Sequence, residues 1–151
     1  MLLLALGLGA GLSAQEVAII RAEDVTPTEG AVLVRVREGR VRTVPVLRRW
    51  EKTITRRAAA LEATEHLLRP GRDGTGKNLI SNFVARSANA AVHAQTQRMR
   101  STWLVAQMSA CTPLPELVEA AGVDSLEALT RYLRFVARAP IDVSTSRLRA
   151  A

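Results

Sequence analysis

The chain has 151 residues, enough for one domain with a sizeable core, and 48% of them are hydrophobic, which excludes a disordered chain. No apolar run approaches the roughly 18 to 20 residues that a membrane-spanning helix needs. The single cysteine, Cys111, excludes an intramolecular disulfide and a cysteine-based zinc site, and its apolar surroundings predict a buried, unreactive thiol. The net charge of +7, carried mostly by arginines, indicates a nucleic-acid partner without proving one.

The uncharged opening segment has two interpretations. Residues 1–14 end in the small residues Ser13 and Ala14, which is typical of a secretory signal peptide. However, no positive charge precedes Leu2, and the segment continues directly into an amphipathic pattern at 15–25. These two features favour an apolar helix that belongs to the folded domain.

A helix start is predicted at Ser13. Its side chain is a good N-cap, and Glu16 stands three residues further on, so that the pair forms the pattern of a capping box. The sequence therefore predicts a short apolar helix over 2–8 and a second helix over 14–22, followed by a loop at 26–30.

An alternating pattern over 31–46 predicts a β-hairpin with a tight turn at Glu38 and Gly39. The two faces of its first strand carry, on one side, Val32, Val34 and Val36 and, on the other, Leu33, Arg35 and Arg37. Pro45 ends the second strand because it cannot donate a hydrogen bond to a neighbouring strand.

The rest of the chain is mostly helical in pattern. Apolar residues three or four apart predict helices over 47–68, 79–92, 97–110 and 114–121. Asp124 is the predicted cap of a last helix over 125–138, with a buried stripe made of Leu126, Leu129, Leu133 and Val136. No clear pattern follows Pro140. The predicted fold class is α+β, with helix dominating.

Two groups of basic residues keep alternative interpretations. GRDGTGKN at 71–78 is similar to a phosphate-binding loop, but Asn78 replaces the hydroxyl that would bind magnesium and no strand precedes it, which favours a surface turn. The pairs Arg48–Arg49 and Arg56–Arg57 are typical of a solvated helix face. Because they follow an arginine-rich hairpin, a face that contacts phosphates is the alternative.

The C-terminal third places an arginine, a glycine turn and a tyrosine in order. Arg100 lies in one predicted helix, Gly122 ends the next, and Tyr132 lies ten residues later beside Arg131. Ordinary helix packing accounts for this order. The alternative is chemical, since a phenol can attack phosphorus when cations hold the phosphate and stabilise the charge on its oxygens.

Four segments in this order resemble the catalytic domain of the tyrosine recombinases, the phage-integrase family. Residues 11–25 resemble the family's Gly-Leu-Arg-x-x-Glu-Leu motif, and 35–46 resemble its hairpin, which carries a lysine and ends in Val-Pro-Leu. Residues 97–110 resemble its His-x-Leu-Arg-His helix. Residues 121–132 have the spacing of the segment that ends in its nucleophilic tyrosine.

The resemblance implies a mostly helical α+β fold of the tyrosine-recombinase catalytic-domain type, with one small β-hairpin or sheet, over residues 1–137. It implies an internal core helix at 1–12 and a chain that begins partway through the family's domain, without the N-terminal core-binding domain. Separately, the absence of a clear pattern after Pro140 predicts a flexible tail at 138–151. The implied location is the cytoplasm. The implied partners are double-stranded DNA and other recombinase protomers, with no membrane, and no cofactor or metal is needed because arginines supply the charge.

Carried over residue by residue, the resemblance implies a degenerate active site. The retained positions are Arg100 and Tyr132, and the substituted ones are Ser13 for the first arginine, Arg37 for the lysine, Gln97 for a histidine and Val123 for a histidine or tryptophan. Glu16 matches the family's structural acid. The residues implied to approach the DNA backbone are Arg35, Arg37, Arg40 and Arg42. An arginine is a poor general acid because its guanidinium is effectively never deprotonated.

Three functions follow as hypotheses. The first is a DNA-binding integrase-like or recombinase-like domain, associated with DNA recombination and integration, that has little or no strand-cleavage activity. The second is an active, divergent recombinase in which Tyr132 is the nucleophile and Arg98 or Arg131 replaces a missing group. The third is a helical interaction scaffold with no role on DNA.

Overall fold

The structure, a computed structural model, describes residues 1–71, 80 and 95–150. The predicted helix over 79–92, apart from Ile80, lies outside the described residues. So does the segment 72–78, which carries almost all of the loop-like GRDGTGKN sequence.

The opening segment is part of the core, as predicted. Helix α1 spans Leu2–Gly9, buries Leu3, Ala5 and Leu6, and packs against two later helices. Burial of its apolar side chains removes them from water and stabilises the fold. Within the described ranges, no helix combines the length and the apolar character that crossing a membrane requires.

The capping box at Ser13 is confirmed. The Ser13 N–H donates to Glu16 Oε2 at 2.7 Å, and the Glu16 N–H donates to Ser13 Oγ at 3.3 Å. Helix α2 therefore begins at Ala14, but it ends at Ile19, earlier than predicted, and a 3₁₀ turn over Ala22–Asp24 follows it.

The predicted hairpin is confirmed and gains a third strand. Strands β1 (Val25–Pro27), β2 (Val32–Val36) and β3 (Arg42–Pro45) form an antiparallel sheet in the order β1-β2-β3. β1 falls partly on residues predicted to be loop. A strand of three residues is too short to show alternation in the sequence. β1 is stabilised by its pairing with β2, which sets Val25 opposite Val34.

Five helices follow the sheet in the described part of the chain. Their ranges are α3 (Arg48–Ala59), α4 (Thr96–Ser109), α5 (Leu114–Ala121), α6 (Glu127–Thr130) and α7 (Ile141–Arg149). The α+β class with a small sheet is confirmed, and α4 and α5 lie where they were predicted.

Helix α3 is shorter than the predicted helix over 47–68 because the following backbone is paired elsewhere. The Ala63 and Glu65 carbonyls accept hydrogen bonds from the backbone of the 3₁₀ turn, and the Leu67 N–H donates to Ile20 at 2.9 Å. These tertiary hydrogen bonds replace the helical ones that the pattern predicted.

The predicted long helix over 125–138 is wrong. It is divided into α6 and a separate 3₁₀ turn at Leu133–Phe135, and Asp124 pairs with Arg40 instead of capping a helix. Leu126 and Leu133 are 46% and 58% exposed, so that the predicted apolar stripe is not buried as a whole. In contrast, α7 forms after Pro140, where the sequence shows no clear pattern.

Cys111 is exposed, which contradicts the predicted buried thiol. It lies just after α4, where its φ of 59° turns the chain. The apolar residues around it in the sequence therefore say little about the direction of its own side chain.

Gly11 is required by a close contact, because its φ is +61° and a β-carbon there would overlap the ring of Trp103. We expect Gly11→Ala to lower the free energy of unfolding by about 1 to 3 kcal/mol, the usual cost of overpacking. The matched control is Gly39→Ala, since Gly39 has a φ of +71° and no described atom within 4 Å of the added carbon. Equal losses in chemical denaturation would show that the Trp103 contact is not the cause.

Candidate functional site

A carboxylate between two arginines lies at the centre of the candidate site. Glu16, in the first turn of α2, accepts a hydrogen bond from Arg42 Nη1 at 2.6 Å, and its Oε2 lies 3.8 Å from Arg100 Nη1. The side chains of Arg42, Glu16 and Arg100 are 3%, 15% and 15% exposed. The cluster thus joins α2, β3 and α4 in a largely buried place.

Glu16 is held in its charged form. Burial alone would raise its pKa, but hydrogen bonds from Arg42 and from the Ser13 backbone outweigh burial and place the pKa below its ordinary value of 4.5. A carboxylate that accepts several hydrogen bonds and faces a cation is stabilised as the anion. The cluster therefore carries one negative and two positive charges at neutral pH.

Arg42 is a buried structural residue. Its Nε donates to the Ala120 carbonyl at 2.8 Å and its Nη1 to the Arg40 carbonyl at 3.1 Å, while Nη2 has no partner within residues 1–71, 80 and 95–150. A β-carbon on Gly122 would lie 2.7 Å from Arg42 Cζ. The guanidinium is thus buried, whereas the predicted contact with the DNA backbone requires it at the surface.

Arg100 also makes internal contacts. Its guanidinium donates to the Gly11 carbonyl at 2.5 Å and to the Ala121 carbonyl. Burial lowers the pKa of Arg100, the charges of Glu16 and Tyr132 act in the opposite direction, and Arg42 adds to the lowering. Arg100 thus joins the residues before α2 to the end of α5.

Tyr132 lies in the same part of the molecule. It is 6% exposed, and the 3₁₀ turn that follows it packs against α4, which carries Arg100. Arg131 Nη2 donates to the phenol oxygen at 2.8 Å, and the Arg131 guanidinium lies 4.8 Å from the centre of the ring. Tyr132 is therefore followed by a turn that lies beside the helix of Arg100.

Three of the four positions predicted to be substituted, Ser13, Gln97 and Val123, have the following surroundings. The Ser13 hydroxyl is occupied by the Glu16 backbone, as described above. Gln97 is exposed in the first turn of α4, and Val123 is half-buried, with its carbonyl accepting a hydrogen bond from Arg40. None of these three side chains supplies a positive charge or an acid.

The remaining hairpin arginines differ in how they are paired. Arg37 contacts Asp24 and lies 3.1 Å from Glu23, and Arg40 pairs with Asp124. Their side chains are 43% and 45% exposed. Arg35 is exposed on the outer face of β2, opposite Thr43, and makes no ion pair with any described residue.

No group of three His, Cys, Asp or Glu side chains in the described ranges lies close enough together to hold a metal ion. The charges at the site are those of the arginines and Glu16. That the protein needs no metal or cofactor stays a prediction.

The role of Arg42 was missed, although the sequence carries a signal for it. In β3, Arg42 has the same parity as Val44 and Val46, which are buried. Alternation thus places Arg42 on the core face, and a charge on a core face requires a buried partner. Glu16 is that partner.

The fold is similar to that of solved recombinases and integrases. One is the crystal structure of XerA recombinase, with a TM-score of 0.68 and 12% sequence identity over 97% of this chain and 53% of that chain. Another is XerH site-specific recombinase bound to palindromic difH substrate in a post-cleavage complex, with a TM-score of 0.65 and 16% identity over 89% of this chain and 41% of that one.

A third is the integrase of the Tn1549 transposon in complex with circular intermediate DNA, with a TM-score of 0.59 and 17% identity over 97% of this chain and 56% of that chain. No protein-family model matches the chain, and no curated protein sequence does. The chain spans about half the length of the structures it matches. The chain therefore has the fold of a tyrosine-recombinase or integrase catalytic domain.

Proposed function

We propose that the protein is a DNA-binding domain of the recombinase and integrase fold that works in DNA recombination or integration in the cytoplasm, with little or no strand cleavage of its own. Its fold and its net charge of +7 support the DNA-binding part. Two of the similar proteins described above are bound to DNA in their structures.

Ser13 carries the proposal that cleavage is slow or absent. It falls at the position of the family's first catalytic arginine, and its hydroxyl accepts the Glu16 N–H at 3.3 Å, in the capping box of α2. Serine carries no guanidinium, so position 13 cannot supply a second cation to a bound phosphate. Loss of one preorganised donor costs on the order of 10² to 10³ in rate.

The other substitutions act in the same direction. Gln97 cannot carry a proton between groups at neutral pH, and Val123 has no side-chain donor. Arg37 falls at the position of the family's proton-donating lysine, but its guanidinium does not release a proton and is paired with Asp24 and Glu23. The charge-stabilising and proton-transfer groups are therefore both depleted.

The contact of Arg131 with Tyr132 favours a second candidate, the active, divergent recombinase. The Arg131 guanidinium, which donates to the phenol oxygen at 2.8 Å, supplies a positive charge beside the proposed nucleophile. In this alternative Arg131 compensates for the missing groups and Tyr132 forms a phosphotyrosyl link with DNA. The formation of a covalent adduct separates the two candidates.

The DNA-binding part is tested by titrating a labelled duplex with the protein at several salt concentrations. We expect a dissociation constant of about 1 μM or weaker that rises steeply with salt, because neutralised phosphates release counterions. Arg35→Ala should weaken binding to all sequences alike and lower the salt slope by about one, since Arg35 is exposed and makes no described ion pair.

Arg138→Ala is the matched control, because it removes one exposed arginine outside the hairpin and should leave binding nearly unchanged. Two outcomes contradict the proposal. An absence of duplex binding favours the scaffold without a DNA role, and salt-independent binding rules out a phosphate contact by the hairpin.

A further inference from the structure

Helix α3 carries a row of cations on one exposed face. Arg48, Lys52 and Arg56 are four residues apart, and Arg49 lies beside them; all four are exposed. Residues four apart lie on the same side of a helix. We call these four residues the α3 basic stripe. The buried Ile54 lies on the opposite side of the helix, so that the stripe faces away from the core.

The stripe differs from the hairpin arginines in its partners. Arg37 and Arg40 are paired with acidic side chains, and Arg42 is buried with Glu16. In contrast, no residue of the stripe makes an ion pair or a side-chain hydrogen bond with any residue in the described ranges. The cations of the stripe can therefore bind an anion without first breaking an ion pair to a described residue.

Helix stability accounts for Arg56, which lies in the last turn, but not for the two arginines at the start of the stripe. Arg48 and Arg49 are the first two residues of α3, where the helix macrodipole is positive and disfavours a cation. No side chain caps this end of the helix. The two arginines thus oppose the local field, and their exposed guanidinium groups are accessible to an external anion.

The composition of the stripe favours phosphates over an acidic protein surface. Protein interfaces depend on buried aromatic or apolar anchors. The exposed large hydrophobic residues of the described ranges lie outside α3; they are Met1, Val41, Leu114, Leu126, Leu133, Phe135, Ile141 and Leu148. A polar face of cations without such an anchor fits the backbone of a nucleic acid, which is recognised mainly through charge.

We propose that the α3 basic stripe is a second phosphate-binding surface of this protein and that it binds duplex DNA separately from the hairpin. The inference rests on the proposed DNA-binding function and adds a surface to it. Eight residues of helix separate Arg48 from Arg56, a distance of about 12 Å along the axis. This length matches about three to four base pairs at 3.4 Å per step, so that the stripe can follow consecutive phosphates.

The test compares two triple variants that remove the same charge. The stripe variant is Arg48→Ala/Lys52→Ala/Arg56→Ala, and the control is Arg138→Ala/Arg147→Ala/Arg149→Ala, which removes three exposed arginines near the C-terminus. Each lowers the net charge from +7 by three. Alanine favours helix, so the stripe variant should keep its helical circular dichroism.

We expect the stripe variant to bind a mixed-sequence duplex on the order of tenfold or more weakly than the unmodified protein, with a salt slope smaller by about three. The control should bind nearly as well as the unmodified protein. The variant Arg48→Lys/Arg56→Lys keeps the charge of the stripe, so it should have the same salt slope as the unmodified protein.

Three outcomes would overturn the inference while the proposed function stands. The first is an equal loss of duplex affinity in the two triple variants, and the second is a stripe variant whose duplex affinity is unchanged. The third is a stripe variant that loses binding to polyglutamate but not to the duplex, which assigns the stripe to an acidic protein. If the unmodified protein binds no duplex, the proposed function itself fails, and this inference fails with it.

Discussion

Glu16→Ala is expected to lower the free energy of unfolding by about 3 to 5 kcal/mol, the cost of removing one partner from a buried ion pair. Arg42 is 3% exposed and would keep its charge inside the protein without the carboxylate that lies 2.6 Å away. Arg100 would lose its nearby carboxylate as well. Chemical denaturation at neutral pH measures the effect.

Two further variants make this prediction specific. Glu23→Ala removes a carboxylate that lies 3.1 Å from Arg37 at the surface, and it should cost no more than about 1 kcal/mol. Glu16→Leu/Arg42→Met replaces the buried pair with apolar side chains and should recover most of the loss. A Glu16→Ala cost no larger than that of Glu23→Ala would contradict the central role of the cluster.

The same pair predicts an acid-sensitive stability. The folded-state pKa of Glu16 lies below the ordinary value of 4.5, so the contribution of Glu16 is present above that value and is lost as the pH falls through the folded-state pKa. The stability gap between the unmodified protein and Glu16→Ala should therefore narrow in acid. A gap that stays constant between neutral and strongly acidic pH would show that the charge of Glu16 is not the cause.

Local patterns predicted the parts of the fold that depend on neighbouring residues. The capping box needs only Ser13 and Glu16, and the hairpin needs only the alternation of Val32, Val34 and Val36, so both were found. The early end of α3 was not predictable, because Leu67 bonds to Ile20, which is distant in the sequence.

The candidate site shows the same limit. The resemblance selected Arg100 and Tyr132, and their catalytic roles stay predictions; the turn after Tyr132 packs against the helix that carries Arg100. The resemblance assigned Arg42 to DNA together with the other hairpin arginines, although its parity with Val44 predicts burial. Asp124 fits a helix cap locally, but Arg40, far away in the sequence, takes its carboxylate.

The second large effect concerns chemistry at Tyr132. A phenol has a pKa near 10 and is a weak nucleophile at neutral pH unless cations or a base assist it. Arg131 supplies one cation beside the phenol, but under the proposed function Ser13 and Val123 replace two groups that act together in catalysis, so the loss of rate is expected to exceed that of one donor. We therefore expect no covalent adduct with DNA on a timescale of hours.

Restoring the family's side chains should recover a trace of adduct if the framework is intact. The variant is Ser13→Arg/Gln97→His/Val123→His. Because Ser13→Arg removes the N-cap of α2, at a cost of about 1 kcal/mol, its stability should be measured beside its activity. A restored variant that folds but forms no adduct would contradict this prediction, and the internal hydrogen bonds of Arg100 to Gly11 and Ala121 would be the next contacts to test.

The most direct measurement traps the protein on a nicked suicide duplex, from which cleavage releases a short fragment and leaves any phosphotyrosyl adduct in place. The unmodified protein and Tyr132→Phe should give the same result under denaturing electrophoresis, with no shifted band from either. Both should still bind the same duplex in a salt-dependent manner. A shifted band that the unmodified protein forms and Tyr132→Phe does not would contradict the account and establish the protein as an active, divergent recombinase.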